Sequence, residues 1–222
     1  MEKIRWTDKE YSLLEFEEQF ACKLPIIIKV TDGYMGQQEL DTISAETCVW
    51  IQCKLQQWRI LAEDSTGTMF SIPLKLQKPK FYPLSQHGCK EEGPFKLRSI
   101  LIWKSLPLDV VTENEINSCV FDVPVLSGRL KLIKTCQVTF LLGYVINEKG
   151  ILLTMHPMVI PTYIRPLKFT VAEGLLDDDP DEWQNFCDCY QRCTSSLSDV
   201  EDGNILEDIL THGHEDVFPW NR

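Results

Sequence analysis

Two stretches of this chain, 82 residues apart, pass through the same punctuation. An amphipathic run ends at Leu24-Pro25 and feeds the apolar segment Ile26-Ile27-Ile28-Lys29-Val30. A second ends at Leu106-Pro107 and feeds Leu108-Asp109-Val110-Val111. Gly67 and Gly150 each open an apolar stretch, while Pro83-Leu84 and Pro166-Leu167 each close one, so three landmarks recur at offsets of 82, 83 and 83. Self-similarity at a fixed period predicts a duplicated unit of about 80 residues followed by something different.

Local patterns give the repeat a texture. Residues 8–21 are expected to be helical, with Thr7 and Glu10 as a capping box and Tyr11, Leu14, Phe16 and Phe20 at helical spacing. Pro25 ends that helix, because the residue before a proline is pushed out of the α region. Thr47–Leu55, Trp58–Ala62 and Met69–Leu74 are rich in β-branched and aromatic residues, and the Asp64-Ser65-Thr66-Gly67 turn makes the last two a hairpin. Residues 77–94 carry breaker residues and read as a linker between the halves. Phe95–Leu106 predicts a second short helix. Strands are then expected at 118–123, 130–133, 137–146 and 151–155, with a turn at Asn147–Gly150. Short strands at this spacing favour small barrels.

Beyond residue 171 the composition changes. The whole chain has a formal charge of −11, but residues 173–216 hold fourteen Asp or Glu against the single base Arg192. Residues 1–172 carry twenty Lys or Arg against nineteen acids. A near-neutral body with an acidic appendage follows. In that tail a helix is expected at about 181–194, with acids at its positive end and Trp183, Phe186, Tyr190 and Cys193 on one face that docks on the body. Ile205, Leu206, Ile209 and Leu210 suggest one further amphipathic turn. An apolar fraction of 44% is ample for a core, in one large domain or two small ones. No apolar run is long enough for a transmembrane helix, and the charged N-terminus lacks a signal region, so a cytoplasmic or nuclear location is expected. The nine cysteines are then small hydrophobes rather than a disulfide framework.

A search for catalytic chemistry finds no phosphate loop, nucleophile elbow or His-Glu-x-x-His. His87 falls in the linker and His156 in a strand-like run, and a Cys-His dyad distant in sequence stays open. Cys187, Cys189 and Cys193 with His212 and His214 are the residues zinc would need. Their spacing lacks the two-residue knuckle, and Cys187 points off the face that Cys189 and Cys193 share, so structural cysteines without a metal or other cofactor are the expectation. Aromatic residues among Lys and Arg could stack on bases, yet the body lacks the basic footprint of a nucleic-acid binder. The acidic tail reads either as a solvated flank or as a docking segment for a basic partner surface. Ser196 and Ser198 each precede an acid by three residues, a pattern that acid-directed kinases favour; phosphate there would add to the tail's charge.

These pieces resemble a known family. Ser12-Leu13-Leu14-Glu15-Phe16 followed by Leu24-Pro25-Ile26-Ile27-Ile28-Lys29-Val30 is similar to the opening of the CABIT domain of Themis and GAREM proteins. So is Arg59-Ile60-Leu61-Ala62-Glu63 followed by Phe70-Ser71-Ile72-Pro73-Leu74 and Phe81. Phe140–Ile146, Met155-His156-Pro157 and Val159-Ile160-Pro161 resemble the family's second closure. The resemblance covers about residues 12–170. It implies an all-β duplicated pair of six-stranded barrel units in non-enzymatic signalling adaptors. Two features depart from the family. Its signature cysteine precedes the second closure, where this chain reads Leu141-Leu142-Gly143-Tyr144 with Cys136 the nearest thiol. The Pro-rich ligands for SH3 domains are also missing.

The expectation is therefore a mainly β chain of duplicated small barrel units, each preceded by a short helix. A CABIT-like domain would span 8–171, with half-units at about 8–85 and 95–171 and an acidic, partly helical tail at 172–222. Its landmarks are Leu24, Pro25, Ile72, Pro73, Leu74, Phe81, Leu106 and Pro107. Its function would be protein–protein contact in signalling, with no membrane or nucleic-acid partner. The alternatives are a small-barrel nucleic-acid binder and, third, a thiol enzyme or redox protein.

Overall fold

The computed structural model describes residues 4–35, 42–113, 128–147, 151–154, 157–176, 179–195 and 210–212, with backbone alone beyond Asp188. In chain order they form β1 (Ile4–Trp6), β2 (Tyr11–Ser12), α1 (Leu13–Phe20), β3 (Ile26–Asp32), β4 (Cys48–Asp64), β5 (Met69–Pro73), β6 (Phe81–Pro83), α2 (Leu97–Trp103), β7 (Leu108–Thr112), β8 (Arg129–Ile146), β9 (Met158–Pro161), β10 (Lys168–Leu175), α3 (Pro180–Ser195) and β11 (Leu210–His212). The mainly β expectation is met. Among the described residues the strands pair antiparallel and do not close into a barrel. The strand expected at 118–123 lies outside the described residues.

Several local expectations change for tertiary reasons. Helix α1 begins at Leu13, not residue 8, because Trp6 and Tyr11 are drawn into strands that pair with Ala172 and Phe169 of β10. The Thr7 hydroxyl is engaged by the Val171 amide and the Lys9 carbonyl, both at 3.0 Å. Ser12 and Glu15 therefore form the capping box: Glu15 N–H donates to Ser12 Oγ at 3.3 Å, and Ser12 N–H donates to Glu15 Oε2 at 3.0 Å. The segments read separately at 47–55 and 58–62 are one strand, β4, and those at 130–133 and 137–146 are one strand, β8. The supposed linker contains β6, paired with β7 from Phe81↔Thr112 to Pro83↔Val110. In place of a strand at 151–155, the described residues there make one bridge, Leu152↔Ile146. Leu210, read as part of an amphipathic turn, begins a strand.

The chain divides into two compact units, residues 1–56 with 139–202 and residues 57–138 with 203–222. The divisions fall inside β4 and β8. Each unit therefore joins a helix–Leu-Pro–strand–strand segment from one half of the sequence to a closing segment from the other. β10 runs across residue 171.

In the first unit α1, β3 and the start of β4 meet the end of β8, β9 and β10. β3 pairs with β4 at Ile28↔Val49 and with β10 at Val30↔Phe169, while β9 pairs with β8 at Leu141↔Ile160. One core gathers Leu13, Phe16, Ile28, Val49, Leu141, Ile160 and Phe169. A second, on the other face, contains Ile27, Trp50, Tyr144 and Ile146, with Trp183, Phe186 and Cys187 of α3 packed against it.

The second unit repeats this order. β7 pairs with β8 at Val110↔Leu130 and with β6 at Thr112↔Phe81, and β5 pairs with β4 at Ile60↔Ile72. Leu97, Ile100, Val110, Leu130, Ile60, Ile72 and Phe81 form its core. Even the turn after the closing Ile-Pro is matched: Leu76 N–H donates to Pro73 at 3.1 Å, and Ile164 N–H donates to Pro161 at 3.2 Å. Pro73 and Pro161 are 88 residues apart, as are Phe81 and Phe169. The Pro83-Leu84 and Pro166-Leu167 landmarks are thus not equivalent in register: Pro83 ends β6, while Pro166 precedes β10. The reason is a longer connection between β8 and β9 (147–157) than between β4 and β5 (65–68).

Candidate interaction site

The landmarks prove to be packing residues. Leu24 and Leu106 lie half-buried against the two helix-side cores, and Pro25 and Pro107 are exposed beside them. Ile72 and Phe81 are fully buried, Pro73 is buried, and Leu74 packs on the second unit's core. None presents chemistry to solvent.

The residues that zinc would need are only partly described. Cys187 sits on α3, half-buried against Trp183 and the second face of the first unit, and burial pushes its thiol up to about 11, with Asp188 adding to the rise. Cys189 and Cys193 lie on α3 and His212 on β11, with side chains outside the described residues; His214, Ser196 and Ser198 are outside them altogether. Among the described residues no group of three or more His, Cys, Asp or Glu side chains is placed to hold a metal.

One feature the sequence reading passed over stands in the second unit. Arg59 is 1% exposed on β4, a charge that must be well hydrogen-bonded to be tolerated there. Its Nε donates to Ser71 Oγ at 2.9 Å, one terminal nitrogen to the Ser71 carbonyl at 2.6 Å, and the other to Gln57 Oε1 at 2.7 Å. The fork clamps β5 to β4. It also reaches electrostatically to half-buried Cys136, whose thiol is raised by burial while Arg59 and Lys134 pull the other way. The available signal was an arginine inside an otherwise apolar run, Trp58-Arg59-Ile60-Leu61-Ala62. On the outer side of β5 lies β11, with Leu210↔Ser71, Thr211↔Phe70 and His212↔Met69 in antiparallel register.

The first unit offers a different surface. A cleft of about 620 Å³ is lined by Trp6, Cys48, Val145, Ile146 and Leu153, with Lys29 and Glu46 also on its wall. Lys29 Nζ meets the Glu46 carboxylate at 2.6 Å. Leu153 and neighbouring Ile151 are 59% and 58% exposed, so apolar surface continues beyond the cleft. Such a recess suits apolar side chains flanked by a charge.

No helix among the described residues is long and apolar enough to cross a membrane. No family model matches the chain, and neither a curated protein nor a solved structure matches it.

Proposed function

We propose that this chain is a non-enzymatic protein-interaction module of the CABIT type, acting as an adaptor or regulator in cytoplasmic or nuclear signalling. The observation that carries the reading is the internal repetition. Each unit carries a short helix, a Leu-Pro, a strand and half of a long strand. Each is completed by a closing segment that runs from Ile-Pro to a buried Phe, with the same pairings. Duplication is one part of what the family resemblance implies, and it supports reading the chain as a scaffold whose surfaces do the work. The exposed apolar rim around Leu153 is consistent with protein contact. The acidic tail serves as a docking element for a basic partner surface, and phosphorylation of Ser196 and Ser198 strengthens it.

Affinity capture with mass spectrometry tests the reading. Signalling proteins should be retained by the full chain and lost when Asp199, Glu201, Asp202, Glu207 and Asp208 are changed to Asn or Gln. Retention unaffected by neutralisation would remove the tail from the mechanism. Salt-sensitive retention on RNA or DNA without protein partners would overturn the adaptor reading.

A further inference from the structure

A strand at the edge of a sheet presents unpaired N–H and C=O groups, and an extended peptide can add to it. β5 is built to accept such a peptide. Its inner edge is paired with β4 from Glu63↔Met69 to Arg59↔Pro73. Phe70 and Ile72 anchor it in the core, and the Arg59 fork fixes Ser71 at its centre. Pro73, which has no N–H to offer, ends the accepting edge. On the outer edge the chain's own β11 is already seated, over three residues.

We propose that the outer edge of β5 is a docking edge for an extended, acid-flanked peptide of a partner protein. Residues 210–212 occupy the edge in cis until that peptide displaces them. The inference rests on reading the chain as a binding module and names one of its sites. The chemistry of the occupant follows from the strand seated there. Glu207-Asp208 precede β11 and Glu215-Asp216 follow it. Residues 57–138 carry eleven Lys or Arg against eight Asp or Glu, while residues 203–222 carry one Arg against four acids. Opposite net charge draws the segment to the unit and would draw a similar peptide. Three residues are at the short end of strand lengths. β11 therefore gains its hold from being on the same chain, with an effective concentration on the order of millimolar. A partner strand longer than three residues competes by making more contacts along the edge. Its binding would release the acidic tail as well.

The test uses the full chain and a release variant, Leu210→Pro with Thr211→Pro and His212→Pro. The probe is a labelled peptide of residues 204–217. The release variant should bind the peptide about tenfold or more tightly than the wild type, because the cis competitor is gone. The amides of Met69 and Ser71, which point to the outer edge, should exchange faster in the release variant and be protected again by the peptide, while those of Phe70 and Ile72, directed at β4, should change less. A peptide with its four acids neutralised should bind more weakly. If the proline variant loses its cooperative melt, the same three positions changed to Gly take its place. Equal binding by both proteins, no binding by either, or unchanged exchange at Met69 and Ser71 would overturn the proposal. So would concentration-dependent dimers of the wild type in which β11 is exchanged, since the occupant would then be a second copy. Failure on these counts leaves the module reading standing, because partner capture by the wild-type chain is measured independently. Capture unchanged between wild type and release variant, with partners that do not compete with the peptide, removes the edge from partner binding.

Discussion

In the first unit β3 is apolar at three consecutive positions, Ile26-Ile27-Ile28, whereas in the second β7 alternates as Leu108-Asp109-Val110. The middle residues occupy matching register positions: Ile27 faces Trp50, and Asp109 faces Lys131. Ile27 and Trp50 are each 1% exposed, buried beneath Trp183 and Phe186 of α3. Asp109 instead meets Arg129 at 2.8 Å in a solvent-accessible pair. One layout thus supports two surfaces. A strand covered on both faces must be apolar throughout, and a strand covered on one face must alternate. The converse substitution appears one strand pair away, where buried Arg59 opposite Pro73 stands at the position of buried Phe140 opposite Pro161.

Exchanging the middle residues tests that contrast most severely. Ile27→Asp places a carboxylate against Trp50 under α3 and should cost about 4 kcal/mol or more in urea unfolding. The reciprocal Asp109→Ile loses only an exposed ion pair and should stay within about 1 kcal/mol. Similar losses for both would mean that α3 does not distinguish the two faces.

The closing phenylalanines should behave alike with a graded difference. Phe81→Ala and Phe169→Ala each remove a fully buried ring and should each cost about 3–5 kcal/mol. Phe169 also lies edge-on to Phe16, with ring centroids 5.3 Å apart. Its loss should exceed that of Phe81 by about 1 kcal/mol, the added value of an aromatic pair. A double-mutant cycle of Phe16 and Phe169 with no coupling would contradict this.

Small residues separate the units more finely. Gly143 pairs with Met158 as Ala62 pairs with Phe70. A Cβ at Gly143 would lie 2.7 Å from Val49 Cγ1 and 2.8 Å from the Trp50 carbonyl oxygen, whereas the second unit accommodates the methyl of Ala62. Gly143→Ala should therefore destabilise by about 1–3 kcal/mol through overpacking. Ala62→Gly should cost about 1 kcal/mol. A neutral Gly143→Ala in thermal melts would show that β4 can yield.

What the sequence made legible was whatever depends on near neighbours. The Leu-Pro punctuation, helix α2, the β4–β5 hairpin turn and the contrast between Ile-Ile-Ile and Leu-Asp-Val were all present as local pattern. The continuity of the long strands was not. β4 pairs with β3 through Cys48–Ile51 and with β5 through Arg59–Glu63, so the polar Gln56-Gln57 between them looked like an interruption. Phe81 was legible as a landmark, but the strand β6 around it was hidden among prolines because its partner, β7, is distant in sequence. Thr7 and Ser12 each precede a Glu by three residues; β10, remote in sequence, decides which one caps the helix. The edge on β5 was illegible for the same reason, since only the pairing of β11 reveals it.

The smallest difference concerns the two helices. α1 has the Ser12–Glu15 capping box, whereas Lys96 at the N-cap of α2 makes no side-chain capping bond. Ser12→Ala should cost about 1 kcal/mol, and Lys96→Ser should recover a few tenths to about 1 kcal/mol. The two helices should also differ in acid. Hydrogen bonds from the Ser12 amide, then from Lys9 and the Ser12 hydroxyl, hold Glu15 well below its usual range, at about 2. A carboxylate depressed on folding contributes stability that is present above its unfolded value near 4.5 and lost as pH falls towards 2. Amides of α1 should therefore lose hydrogen-exchange protection across that window, and Glu15→Gln should remove that part of the pH dependence. The α2 amides lack an equivalent carboxylate cap and should not follow it. Parallel loss in both helices would assign the acid response to the fold as a whole rather than to this cap.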